Sequence, residues 1–109
     1  LLEFKKSIKK EILEKLQEMN DFSLTVLDES CLALFKEDYY QAEKTIKKIE
    51  QITKFEKKIK DASKSIKGDE EMYRVRRLVE NIRRISEYAS DIAEIVLNMN
   101  IEKTLTKTE

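Results

Sequence analysis

Apolar residues recur along this chain at the spacing of helices and nowhere at the alternation of strands. In the first third, Phe4, Ile8, Ile12, Leu16, Met19, Phe22, Val26 and Ala33 share one face of a 3.6-residue period, which predicts a helix over about residues 3–35. A second apolar row, Leu13, Leu24, Leu27, Cys31 and Phe35, lies on the far side of the same helix. A helix in a simple three-helix bundle buries one stripe. The second row therefore predicts a further contact, with another copy of the chain or with another domain.

Residues Lys36 to Tyr39 form the first break, and Asp38 followed three residues later by Gln41 fits a variant capping box. The helix that follows is expected over about 39–67. Its residues Ile46, Ile49, Ile52 and Phe55 step by three before Ile59, Ala62 and Ile66 return to near-heptad spacing, so it is expected to bend or change partners midway. Gly68 and Asp69 read as the C-cap of this helix and the N-cap of the next. The third helix, over about 69–99, is expected to bury Val75, Leu78, Ile82, Ile85, Ala89, Ile92, Ala93 and Val96, with 103–109 a polar tail. Short loops between long helices give an all-α fold: an elongated antiparallel three-helix bundle, up-down-up, as one domain over 1–102.

Composition supports that reading and narrows function. The 109 residues include no proline, one glycine and 40% charged side chains, which favours helices and leaves little turn chemistry for sheets. Net charge is zero, so no global field draws the chain to nucleic acid. Between Lys36 and Lys67 ten lysines face six acids, but arginine and stacking aromatics are not interleaved there, and the excess reads as a solvated lysine face. Direct nucleic-acid binding is not expected. One cysteine makes no intramolecular disulfide, and no apolar run approaches the roughly 20 residues of a membrane span, so a cytoplasmic chain without membrane insertion is expected. Beginning Leu-Leu-Glu, it reads as a piece of a longer protein.

Histidine is absent, as are a glycine-rich phosphate loop and a nucleophile with an evident base, which argues against an enzyme. The remaining chemistry is carboxylate. Glu87, Asp91 and Glu94 fall on one outward side of the third helix, and Glu87 and Asp91, one turn apart, ask for a cation. That cation is either a hard metal ion such as iron, manganese or magnesium, or the helix neighbours Arg83 and Arg84.

The run Arg83-Arg84-Ile85-Ser86-Glu87-Tyr88-Ala89-Ser90-Asp91-Ile92-Ala93-Glu94 resembles the third-helix signature of the PhoU family of phosphate uptake regulators, whose pattern is approximately Glu-Arg-Ile-Gly-Asp-His/Tyr-Ala-x-Asn/Asp-Ile-Ala-Glu. Lys36-Glu37-Asp38-Tyr39-Tyr40-Gln41-Ala42, then Ile46, Ile52, Phe55, Glu56 and Ile59, resemble that family's inter-helix turn and second helix. The resemblance covers about Met19 to Glu102 and implies a single three-helix PhoU-like repeat. It implies a regulator that acts by binding, with a transporter ATPase, a sensor kinase, a fused DNA-binding domain, a second repeat or another copy as partner. It also implies a surface metal cluster, for which Glu87-x-x-x-Asp91 fits one motif, while Ile49 and Thr53 occupy the second-helix acid positions and leave Glu50 as the nearest carboxylate. Two alternatives stand beside the regulatory module: a metal-sensing bundle using surface carboxylates, and a structural dimerisation bundle.

Overall fold

A computed structural model describes residues 8–108, with side chains through Met99 and at Ile101. Phe4 and the expected helix start at residue 3 lie outside the described residues. The fold is the expected all-α bundle: α1 (Lys10–Lys36), α2 (Tyr39–Ile49), α3 (Ile52–Ala62) and α4 (Asp69–Thr108). It measures 62 × 23 × 17 Å, its length set by α4, whose 40 residues at about 1.5 Å each account for it. The third helix thus runs on past residue 99, and the backbone of the expected tail continues as helix to Thr108.

The middle arm departs from one continuous helix. Where the apolar residues step by three, the backbone tightens to match: Gln51 N–H donates to the Lys48 carbonyl and Lys54 N–H to that of Gln51, each at 3.0 Å, and the arm breaks between α2 and α3. Three residues per turn brings i and i+3 onto one line, which keeps Ile49, Ile52 and Phe55 facing inward. The expected change of partner follows, because α2 packs on both long helices whereas α3 lies mainly on α1.

The ends also differ from expectation. The arm finishes at Ala62, where the Ser63 hydroxyl donates to the Ile59 carbonyl at 2.6 Å and a 3₁₀ turn, Ser63–Ser65, closes it. Gly68 is not its cap. Its φ is not positive, and its carbonyl accepts from Met72 N–H at 3.1 Å, so it precedes the first residue of α4, and Asp69 belongs to that first turn. The αL terminator is instead Glu37, φ 52°, behind α1. Asp38 caps α2 as expected by accepting from Gln41 N–H at 3.0 Å, but the Gln41 side chain turns to Thr45 rather than back to Asp38.

The core is a seam between α1 and α4. Ile12, Leu16, Met19, Ser23, Val26, Ser30 and Ala33 are buried along α1, and Val75, Ile82, Ser86, Ala89, Ala93 and Val96 along α4, both at heptad spacing. The Ser30 hydroxyl donates to the Ala89 carbonyl at 2.7 Å, so residue n of α1 stands beside about n + 59 of α4 and the two helices run in the same direction. The bundle has a large-residue end and a small-residue end. Near the starts of α1 and α4 the cluster is Ile8, Ile12, Leu16, Met19, Ile52, Ile59, Val75 and Ile82; near the α1–α2 turn it is Ala33, Ala42, Ala93 and Val96.

Candidate functional site: an uncovered face of the long helices

The arm α2–α3 covers one side of the α1–α4 pair. Contacts on that side come from residues one place before the α1 seam and one place after the α4 seam. Phe22 stacks on Phe55 with centroids 4.8 Å apart, Glu29 accepts from Lys48 at 2.8 Å, and Arg83 Nε donates to Glu56 at 2.6 Å. Positions shifted the other way, one after the seam on α1 and one before it on α4, rotate by about 100° to the opposite side of both helices.

Those positions form a second pair of heptads. On α1 they are Leu13, Gln17, Asn20, Leu24, Leu27, Cys31 and Leu34; on α4 they are Arg74, Leu78, Asn81, Ile85, Tyr88, Ile92, Ile95 and Met99. Leu13 and Leu78 pack against the core cluster, and the rest of the row is only partly covered among the described residues. Leu24 is 44% exposed, Tyr88 60% and Ile95 50%, while Leu13, Leu27, Leu78, Ile85, Ile92 and Met99 are half-buried at the margin of the seam. Cys31 is a free, exposed thiol, and Phe35, at the rim, is 89% exposed.

The five residues expected to form an interaction surface, Leu13, Leu24, Leu27, Cys31 and Phe35, thus share one side of α1. Half of the face was missed. Leu78 packs against the core cluster as expected, whereas Ile85 and Ile92, also expected in the core, are half-buried beside the exposed Tyr88 and Ile95. The signal lay in the sequence, because the seven-residue repeat on α4 occurs twice, offset by one residue.

The acidic candidates are arranged differently. Glu87, Asp91 and Glu94 are exposed on α4, and no group of three or more acidic or cysteine side chains among the described residues closes round a point where a metal would sit. Glu50 is exposed at the α2–α3 break. Neither Arg83 nor Arg84 forms an ion pair with these acids among the described residues, although the charge of Glu87 acts on Arg83. Arg83 reaches across to Glu56, and no Glu80–Arg84 ion pair forms among the described residues. The Glu56 hydrogen bond raises the affinity of Arg83 for its proton above the ordinary value against the opposing effect of burial, and the charges of Glu56, Glu87 and Glu80 add to it. This pair bridges an open groove of about 820 Å³ between α3 and α4. In the lysine-rich middle, Lys44, Lys47, Lys54, Lys57, Lys58 and Lys60 are solvated as expected, with Lys48 half-buried on Glu29.

No helix among the described residues is long and apolar enough to cross a membrane. Neither the curated proteins nor the solved structures contain a match to the chain. A family model described as the PhoU domain matches residues 16–96, which takes in the α1–α4 seam, both parts of the middle arm and most of the open face, and the chain belongs to the PhoU family.

Proposed function

We propose that the chain is a non-enzymatic, cytoplasmic regulatory module of phosphate transport or signalling that works by helix-mediated association. The observation that carries this reading is the open face of α1 and α4. A contiguous apolar surface built from Leu24, Leu27, Cys31, Ile85, Tyr88, Ile92 and Ile95 is the usual mark of a docking site on a soluble helical protein. Membership of a family of phosphate uptake regulators supplies the biological setting. A transporter ATPase, a sensor kinase, a fused DNA-binding domain, a second repeat and another copy are the partners that membership brings forward.

Light scattering on the purified chain and on Leu24→Glu and Ile92→Glu tests the reading. Association that both substitutions abolish, with helical content unchanged, supports it. A chain that stays monomeric at high concentration, with neither substitution altering its behaviour, contradicts it. Metal titration separates this function from metal sensing: a melting temperature raised several degrees by stoichiometric iron, manganese or magnesium would favour the carboxylates Glu87, Asp91 and Glu94 as the working site instead.

A further inference from the structure

The arm covers its side of α4 for only part of the length. Towards the α1–α2 turn, Ala42 and Ile46 of α2 pack with Ala93, Val96 and Leu97. Towards the start of α4 the cover fails, because α3 lies mainly on α1. What remains there is the open groove of about 820 Å³ between α3 and α4. The buried Ile59 and Val75 form its floor, and Met72 and Val79 are half-buried on the α4 wall.

Each wall is a helical row. On α4 the residues Met72, Arg76, Val79 and Arg83 follow at intervals of four, three and four, and on α3 Thr53, Lys57, Lys60 and Lys64 do the same. This is the spacing at which a helix receives another between its ridges. From Met72 to Arg83 the trough runs about 16 Å, or three turns. The Arg83–Glu56 contact bridges it near one end.

The charges lining the groove do not balance. Lys57, Lys60, Lys64, Arg76 and Arg83 stand against Glu56, Asp61 and Glu80. Glu56 is taken by Arg83, and Asp61 by Lys64 at 3.5 Å. Lys57, Lys60 and Arg76 are exposed and in no ion pair among the described residues, with Glu80 the one acid of the lining not taken by a cation. The chain as a whole has zero net charge, so this excess is local to the groove.

We infer that the groove receives an acidic amphipathic helix of a partner protein. Its apolar stripe lies on Met72, Val79 and the floor, and its acidic flanks meet Lys57, Lys60 and Arg76. The helix takes the place beside α4 that α3 leaves open, on the arm side and away from the open face of α1 and α4. The apolar contact supplies affinity, and the cations select an acidic partner and speed its approach.

A capped peptide of about 14 residues, with leucine at i, i+3, i+4 and i+7 and glutamate on both flanks, serves as the probe. Titrated with the full chain by fluorescence anisotropy, it should bind at least about tenfold tighter than its lysine-for-glutamate counterpart, and more weakly as salt rises. Equal binding of the two peptides, or none at millimolar concentration, overturns the inference. Lys57→Glu/Lys60→Glu should weaken binding at least about tenfold, whereas Lys44→Glu/Lys47→Glu, the same charge change on α2 outside the groove, should weaken it less than about twofold. Equal weakening by both would mean a general attraction to lysine and overturn the site. Met72→Gln, which leaves every charge in place, should weaken binding several-fold at high salt, and an unchanged constant would overturn the apolar contact. Ile92→Glu should leave the peptide bound; its release would place the peptide on the open face instead, so the two surfaces fail separately. Dodecanoate binding where the peptide does not would make the occupant a small amphiphile and overturn the helix.

Discussion

Near the starts of α1 and α4 the bundle keeps its large side chains inside: Ile12, Leu16, Met19, Ile52, Ile59, Val75 and Ile82 fill the space between three helices. Near the α1–α2 turn the inner positions are mostly small, Ser30, Ala33, Ala42, Thr45, Ser86, Ala89 and Ala93 beside Val96, while Leu24, Tyr88 and Ile95 are exposed and Leu27 and Ile92 half-buried. Small inner residues let the helices approach closely enough for Ser30 to reach the Ala89 carbonyl, but they bury little apolar area. One end is stabilised from within. The other leaves Leu24, Tyr88 and Ile95 exposed among the described residues, and this is why the face at that end is proposed as a docking surface.

The two ends should therefore respond oppositely to substitution. The largest effect belongs to the large-residue end: Ile12→Ala or Ile59→Ala, each side chain at most 2% exposed, should cost about 2–5 kcal/mol in urea denaturation. At the small-residue end the damaging change is enlargement. Ala93→Leu, where no solvent reaches the wild-type side chain, should cost about 1–3 kcal/mol through forced separation of α1 and α4. If it were tolerated, the close approach at that end would be wrong.

Smaller effects probe polar groups. Arg83→Met removes the Glu56 contact between α3 and α4; with the guanidinium partly solvated, a loss of only about 0.5–1 kcal/mol is expected, read as a shift in urea midpoint. Ser23→Ala removes a buried hydroxyl that makes no hydrogen bond among the described residues, and stability should stay within about 0.5 kcal/mol of wild type or rise slightly. A loss above about 1 kcal/mol would mean that this hydroxyl has a partner.

Much of the architecture was legible in the residues. Heptad spacing on α1 and α4 announced long helices, and the threefold stepping from Ile46 to Phe55 announced trouble in the middle arm, because a helix of 3.6 residues per turn cannot hold such a row on one face. The terminators were less legible. Gly68 looked like a cap, yet the chain stops α1 with Glu37 in the left-handed region and closes α3 with the 3₁₀ turn Ser63–Ser65, and neither end uses the glycine that marks such a stop in a sequence. The open face was half legible. The second row on α1 stood out because Leu24 and Cys31 fall out of phase with Ile12, Leu16, Met19 and Val26, whereas on α4 the inner positions Ser86 and Ala89 are small, so the neighbouring Ile85 and Ile92 passed for core. The acidic triplet was visible by spacing, but the arginine beside it answers to Glu56, a pairing that sequence distance conceals.

The most direct test of the central claim is the melting temperature of the chain as a function of its own concentration. If the small-residue end is completed by association of the open face, the melting temperature rises steadily over a hundredfold range of protein concentration, by mass action, and the rise disappears in Ile92→Glu. A melting temperature independent of concentration, and equal in the two proteins at every concentration, would contradict the account.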